Sequence, residues 1–588
     1  MTQQKTAKDQ KLRAIDAEVL RHGFIAITEE MKINLMRTAY NMIIYEALDF
    51  TVGLFDRDGH TISIGLGLPM FIRGMSETVK ATLEEIPHEE MRHGDIYITN
   101  DAYITGSHLN HIVLTLPLFD GDEVIGFTST MAHWLDIGGV LNGVTRDIFS
   151  EGLQVPICKL FDQGEQNELL VKIIAQNVRN PDLAMGDLRA QIAAVRTGER
   201  RFNAIVKRYG RERVMDAMRF TMERSAERAT QTVRNIPDGY YEAESFMDGD
   251  GVVDAPIPIH VGVTVDGDRM SIDMSGISEQ VQGFYNSGRT AGLSAAQVAF
   301  TCLIDPLSRP INDGTFAPLD VVLPDRTVVS AVKPAAMRWW MTIPMTVVDT
   351  IFKALAPALP QSVPAGHHAD LAIVDMNGEH PVGCHFYRCI GGLIGGGWGA
   401  KWNEDGMSAT ICINDGDTHN APVESMELKY PHVIERHALR EDSGGAGEFR
   451  GGLGVIQQRR MLATSRINAQ IERTQDAPWG LFGGQAGEAN KLELIRNDGA
   501  HEKYPTGKIL DEDLNEGDAY ILYSGGGGGY GDPFKRPVED VANDVRQGYV
   551  SLEAAVRDYG VALDADNLAV NQMKTNQLRD SAGRGGDR

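Results

Sequence analysis

Five residues combine the types and spacing that could hold a metal ion: Asp49, His108, His111, His133 and Asp136. Imidazole nitrogen and carboxylate oxygen are the donors that suit zinc, manganese or iron. A His-x-x-His is followed by a His-x-x-Asp, and the two sets flank a pair of apolar runs, HIVLTLPLF and EVIGFTSTMAHW. Asn100-Asp101 before them and Gly138-Gly139 after them supply loops that can adapt around an ion. The same pattern also fits hydrogen-bonded histidines lining a wet sheet edge. His111 has a second potential role as general base, because an unperturbed imidazole titrates at about 6.5. Asp136 is either a further ligand or a carboxylate that orients a histidine.

Two weaker sets sit in turn-like stretches: His367-His368 with Asp370, and Asp415, Asp417 and His419. His60, His88, His93, His432, His437 and His501 stand among polar or turn residues and read as surface groups. The glycine run Gly391 to Gly399 lacks the lysine and hydroxyl of a GxxxxGK[ST] phosphate loop, and no βαβ unit surrounds it. The SGGGGGYGDP segment ending at Pro533 reads as a close backbone passage. No kinase, Ser-His-Asp or zincin motif is present.

These residues need a scaffold to bring them together. Residues 13–44 carry apolar positions at helical spacing (Ile15, Val19, Phe24, Ile27, Met31 and Leu35), which predicts one long amphipathic helix. Arg57-Asp58-Gly59 between two β-rich runs signals a first hairpin, and Asp120-Gly121-Asp122 a second. A turn centred at 121 pairs positions whose numbers sum to about 242 or 243. His111 is thereby expected opposite Ala132 and His108 near Asp136, so the two histidine segments converge on the open end of one hairpin. Residues 165–235 predict two or three charged helices, and from Gly239 short strands with Asp-Gly turns predict antiparallel sheet. Helices are expected at 288–304, 344–358 and 538–559. The fold class is α+β: multi-domain, antiparallel sheet-rich with flanking helices and a Gly-rich β C-terminal half. Texture divides the chain into regions 13–160, 161–238, 239–364, 365–535 and 536–588.

Composition removes several function classes. The 588 residues include 42% hydrophobic and 23% charged, a globular balance that rules out wholesale disorder. The net charge of −25, from 81 acidic against 56 basic residues, disfavours nucleic acid as a partner. Five cysteines are too few for a disulfide framework, and Cys384 and Cys389 are spaced too widely for a zinc knuckle. Reduced thiols in a cytoplasmic protein are expected. The N-terminus lacks the apolar core of a signal peptide, and the run from Thr290 to Ile304 is too short to span a bilayer, so no membrane association is expected.

The blocks DFTVGLFD, NDAY, GSHLNH, AHWLDIGG, EGLQVPICKL, NVRNPDLAMGDLRAQIAA, SGGAGEFRGGLGV and GGGGGYGDP resemble the hydantoinase B/oxoprolinase family and follow the family's order across nearly the whole chain. That family holds the B-type subunits of ATP-dependent N-methylhydantoinase and caprolactamase, the matching half of 5-oxoprolinase, and subunits of acetone and acetophenone carboxylases. The resemblance implies a separate A-type subunit with an actin-like ATPase fold that binds ATP, assembled as two copies of each subunit. It implies a metal held by an aspartate of the first hairpin, matching Asp49, and by residues matching His108, His133 and Asp136.

The sequence departs from the family pattern twice. Where the family has T-H-L-P-D, residues 107–111 read SHLNH, so His111 replaces a carboxylate. Trp134 replaces the second histidine of A-H-H-x-D and is expected to line the pocket. A nitrogen-rich site favours zinc or iron. The leading expectation is the metal-containing B-type subunit of an ATP-dependent hydrolase of small cyclic amides. Two others are a ketone carboxylase subunit, and a scaffold that has kept the fold without the chemistry.

Overall fold

The computed structural model describes residues 14–304, 310–391, 393–416, 418–504 and 506–583; Asp417 and Gly392 lie outside them. The fold is mixed α+β, with four sheets that are antiparallel but for one strand pair, as the sequence predicts.

Helix α1 (Ala14–Thr38) buries Leu20, Phe24, Ile27, Met31 and Leu35 along one stripe, while Ile15 and Val19 fall outside it and are exposed. The expected single helix to residue 44 breaks after Thr38 and restarts as α2 (Met42–Tyr45). The cause is local. The Asp187 carboxylate accepts the backbone N–H groups of Tyr40 (2.8 Å) and Asn41 (3.1 Å), withdrawing both from the helix, and Asn41 then caps α2 through Ile43 N.

Strands β1 (Phe50–Asp56), β2 (Thr61–Leu66), β3 (Ile96–Thr99), β4 (His111–Asp120), β5 (Glu123–His133), β6 (Cys158–Asp162) and β7 (Glu165–Gln166) form one sheet in the order β2-β1-β5-β4-β3-β6-β7. Helix α1 packs on it together with α3 (Pro181–Tyr209), the middle one of three helices over Glu168–Asn177, Pro181–Tyr209 and Arg211–Val233. In the β4–β5 hairpin Asp120 pairs with Glu123, but a bulge between Leu118 and Phe119 shifts the register by one, so His111 lies opposite His133. The expected partner, Ala132, faces Ile112. Side chains alternate faces at every residue, so the bulge decides that His111 and His133 point to the same side. Strand β1 pairs with β5 from Phe50↔Ala132 onward, and His133 N donates to Asp49 O at 3.0 Å. The ends of β1, β4 and β5 therefore meet at one end of the sheet.

The middle of the chain carries a four-stranded sheet covered by helices Arg289–Ile304 and Thr342–Leu355. The C-terminal half holds two further sheets, one of four and one of five strands. Between their strands, glycine-rich segments pack backbone against backbone: Gly397 N donates to Gly525 O, Gly527 N to Gly452 O, and Gly528 N to Gly366 O. A Cβ on Gly527 would overlap the Trp398 carbonyl oxygen, which explains why no other residue fits there. The expected 538–559 helix is two helices, Val538–Arg546 and Leu552–Tyr559, parted where Gly548 takes a φ of +71° and Ser551 caps the second. No described helix is long and apolar enough to cross a membrane.

Candidate functional site

The end of the sheet where β1, β4 and β5 meet opens into a cleft whose far wall comes from residues 338–341 and from the strands Ile373–Glu379 and Phe386–Gly391. His108, His133 and Asp49 line it. The three imidazoles cluster, with ring centroids 4.5 Å apart for His108–His111, 4.9 Å for His108–His133 and 5.3 Å for His111–His133. All three are buried, and burial drives their pKa values down: His111 to about 3, His108 and His133 well below the usual imidazole range.

Each histidine is held differently. His108 Nδ1 lies 3.2 Å from the carbonyl oxygen of Arg338, an atom that can only accept, so Nδ1 carries the proton. Its Nε2 is thereby a buried lone pair with no hydrogen-bond partner, and His133 Nδ1 is also buried and unpartnered. His111 is engaged on both sides, Nδ1 with Ser107 Oγ at 2.9 Å and Nε2 with Asp49 Oδ1 at 3.0 Å. Burial pushes the Asp49 carboxyl up to about 8. Asp415 also lines the cleft, and burial together with the neighbouring Asp49 pushes it up to about 8.

Asp136 is placed otherwise. Its carboxylate accepts from Arg179 Nη1 at 2.6 Å and from Gly138 N at 3.3 Å, anchoring the loop that follows β5. Trp134 does not line the cleft. It is fully buried on the helix-covered face of the sheet, where its Nε1 donates to Gln191 Oε1 at 3.0 Å. The alternation that aims His133 into the cleft aims its neighbour the other way.

The cleft's aromatic wall is instead Trp339 and Trp340, with the Trp340 ring 5.9 Å from His111 and 6.3 Å from His108. Sequence reasoning missed these two, along with Arg338, Glu151, Asp375 and Arg388. The one visible signal was a charged residue and two tryptophans side by side in an otherwise apolar stretch.

The secondary sets separate. His367, His368 and Asp370 do not line the cleft; all three are buried, His367 with Nδ1 3.1 Å from Asp349 Oδ1 and His368 with Nε2 3.1 Å from the Thr410 carbonyl oxygen. His419 lines an adjacent cavity. His432, expected at the surface, is buried: it opens the edge strand of the five-stranded sheet, pairs with Met461 and is stacked by Tyr430, with ring centroids 6.1 Å apart. Among the described residues, the tightest grouping of potential ligand atoms is Asp56, Asp58 and His60 in the first hairpin turn. There the Asp56 carboxylate is occupied by the N–H groups of Asp58 and His60, which shape the turn.

A buried imidazole with Nδ1 tied to a backbone carbonyl and Nε2 left open is the arrangement metal-ligating histidines adopt. His108 has this arrangement, and His133, whose Nδ1 is also unpartnered, lines the same cleft with Asp49 and Asp415.

Fold and cleft together define a multi-sheet α+β protein with a histidine–carboxylate pocket at one end of its N-terminal sheet. The chain belongs to the Hydantoinase B/oxoprolinase family, whose sequence model matches residues 13–533. It is 29% identical over 570 residues to the caprolactamase subunit beta of Pseudomonas jessenii, covering 94% of this chain and 96% of that one. The crystal structure of the ATP-dependent caprolactamase from Pseudomonas jessenii superposes with a TM-score of 0.91 at 27% identity, covering 97% of this chain and all of that one (100%). A nucleotide-free acetone carboxylase structure shares the fold with a TM-score of 0.88 at 19% identity, over 97% of this chain and 83% of that one.

Proposed function

We propose that this chain is the B-type subunit of an ATP-dependent hydrolase of cyclic amides, working with an ATP-binding A-type subunit in a heterotetramer. The observation that carries the reading is the pair of unpartnered buried nitrogens, His108 Nε2 and His133 Nδ1, in a cleft shared with Asp49. Asp49, His108 and His133 would hold a divalent metal, zinc, manganese or iron, and Asp415 lines the same cleft. Such an ion supplies Lewis acidity and lowers the pKa of a water toward neutrality.

The chain's own residues do the rest. His111 Nε2 and Asp49 Oδ1 hold one proton between them at 3.0 Å, and Ser107 fixes the ring's other face. Asp136 acts by position, through Arg179 and Gly138, holding the loop that closes one side of the cleft. Trp339 and Trp340 supply the apolar wall against which a ring substrate packs and water is excluded. An amide carbonyl is a poor electrophile because its nitrogen donates into it; phosphorylation of the carbonyl oxygen by ATP bound on the partner removes that protection. The family's relatives named as beta subunits, and a sequence without a phosphate loop, support placing ATP on the partner.

The test is co-expression with the partner subunit and measurement of ATP hydrolysis dependent on a lactam or hydantoin. Turnover undiminished in both His108→Ala and His133→Ala would remove the metal from the scheme. Incorporation of labelled bicarbonate into a ketone would instead support the carboxylase reading.

A further inference from the structure

Three guanidinium groups stand around the cleft, and two of them are neutralised. Arg179 pairs with Asp136 at 2.6 Å. Arg388 grips Asp375 through Nη2 at 2.7 Å and Nε at 3.0 Å. Arg338 is different. Its side chain makes one hydrogen bond, from Nη1 to the Val140 carbonyl oxygen at 2.9 Å, and lies over the Phe284 ring at 6.0 Å. Among the described residues no carboxylate comes within 4.0 Å of its guanidinium nitrogens. It is only 9% exposed and lines the same cleft as His108, His133 and Asp49.

The nearby carboxylates are already committed. Asp375 is taken by Arg388, and Glu151 accepts Met337 N, Arg338 N at 2.9 Å and Thr145 Oγ1 at 2.6 Å. Asp375 and Glu151 favour its charge only through space, and a buried cation with no carboxylate in direct contact is costly where a ligand would sit. Burial and the neighbouring Arg388 pull the Arg338 pKa down to about 10, so the group stays charged at neutral pH. Guanidinium presents a planar fork of N–H donors matched to an oxyanion, and most of that fork is free here.

We propose that Arg338 is the receptor for an oxyanion carried by the substrate, so that the cleft takes an anionic cyclic amide in preference to a neutral one. Two sources share this chemistry: a carboxylate on the ring, or the phosphoryl group placed on the substrate during activation. Arg338 is then a specificity-determining residue, and its backbone carbonyl couples it to His108. This inference rests on the cleft being the substrate site.

The experiment is calorimetric titration of the purified full chain with 2-pyrrolidone, 2-pyrrolidone-5-carboxylate and inorganic phosphate, in the wild type, Arg338→Met and Arg338→Lys. Metal content is measured on the same samples. A ring carboxylate as the source predicts that the wild type binds the carboxylated ring at least tenfold more tightly than the neutral one. Arg338→Met abolishes that preference, read as the ratio of the two affinities, and Arg338→Lys, which keeps the charge without the fork, retains part of it. Phosphate binding that Arg338→Met removes, without a preference for the carboxylated ring, assigns the phosphoryl source. A wild type that favours neither anion, or a preference that survives in Arg338→Met, overturns the proposal. If Arg338→Met does not fold, the lysine variant decides: an undiminished preference there overturns the fork. A chain that binds metal but no anion loses this inference alone, whereas one that binds the anion without metal loses the metal reading alone.

Discussion

The imidazole of His108 is fixed by the backbone of Arg338: Nδ1 stands 3.2 Å from that carbonyl oxygen across 230 residues of sequence. The carbonyl is itself held in place, because the Glu151 carboxylate accepts the N–H groups of Met337 (3.0 Å) and Arg338 (2.9 Å). Glu151 thus orients His108 at one remove. Glu151→Ala leaves two buried N–H groups without acceptors and is expected to cost about 1–3 kcal/mol for each of them. On the proposed metal reading it also lowers metal affinity by about 10–100-fold, the usual effect of losing an outer support. Thermal denaturation and chelator competition read the two effects, and unchanged metal affinity would uncouple Glu151 from the site.

A second prediction concerns acid stability. Asp349 is fully buried, and burial alone would raise its pKa. The Arg473 guanidinium and His367 outweigh burial and hold the carboxyl well below its usual range. A depressed carboxyl stabilises the fold above its unfolded pKa, about 3.9, and that contribution fades as pH falls below it. The wild type is therefore expected to lose thermal stability from about pH 4 downward. Arg473→Met strands a buried carboxylate at a cost of about 3–5 kcal/mol at neutral pH. Adding Asp349→Asn should restore part of the loss, and its failure to do so would mean that Arg473 acts through packing.

How far the site could be read in the sequence follows from distance along the chain. The convergence of the two histidine segments on one end of the hairpin was legible, since an apolar run, a short turn and a second run leave few registers open. The one-residue error came from the bulge at Leu118, whose sole local mark is Gly126 inside a strand. The α+β class and the close packing of the glycine clusters were also legible, the latter because the runs lack the lysine that phosphate binding needs. Arg338, Trp339 and Trp340 were not, because no periodicity links a loop at 338–341 to a hairpin at 111–133. Asp136 was assigned a role by its place in a motif, and only the contact with Arg179 shows where its charge is used.

Trp134 and Trp340 give a contrast between stability and binding. Trp134→Phe strands Gln191 Oε1 in the core and is expected to cost about 1–3 kcal/mol in stability while leaving ligand and metal binding unchanged. Trp340→Leu removes a ring beside His108 and His111 and should weaken binding of a cyclic substrate more than it lowers stability. Calorimetric titration and thermal melts of both variants check this, and weakened binding in Trp134→Phe would show that the helix-covered face reaches the cleft.

The glycine lattice of the C-terminal half yields the sharpest stability contrast. At Gly527 a methyl group would overlap the carbonyl of Trp398, and both backbones are pinned by hydrogen bonds, Gly527 N to Gly452 O and Gly452 N to Trp398 O. Neither strand can yield without breaking the ladder, so Gly527→Ala should abolish soluble expression of the full chain. Gly121, at the tip of the second hairpin, has a φ of +60° and nothing within 4 Å of an added Cβ. There Gly121→Ala pays only the left-handed backbone penalty, about 1–2 kcal/mol. Soluble yield and melting temperature of the two variants separate overlap from backbone strain. A well-folded Gly527→Ala would show that the lattice can spread to admit a side chain.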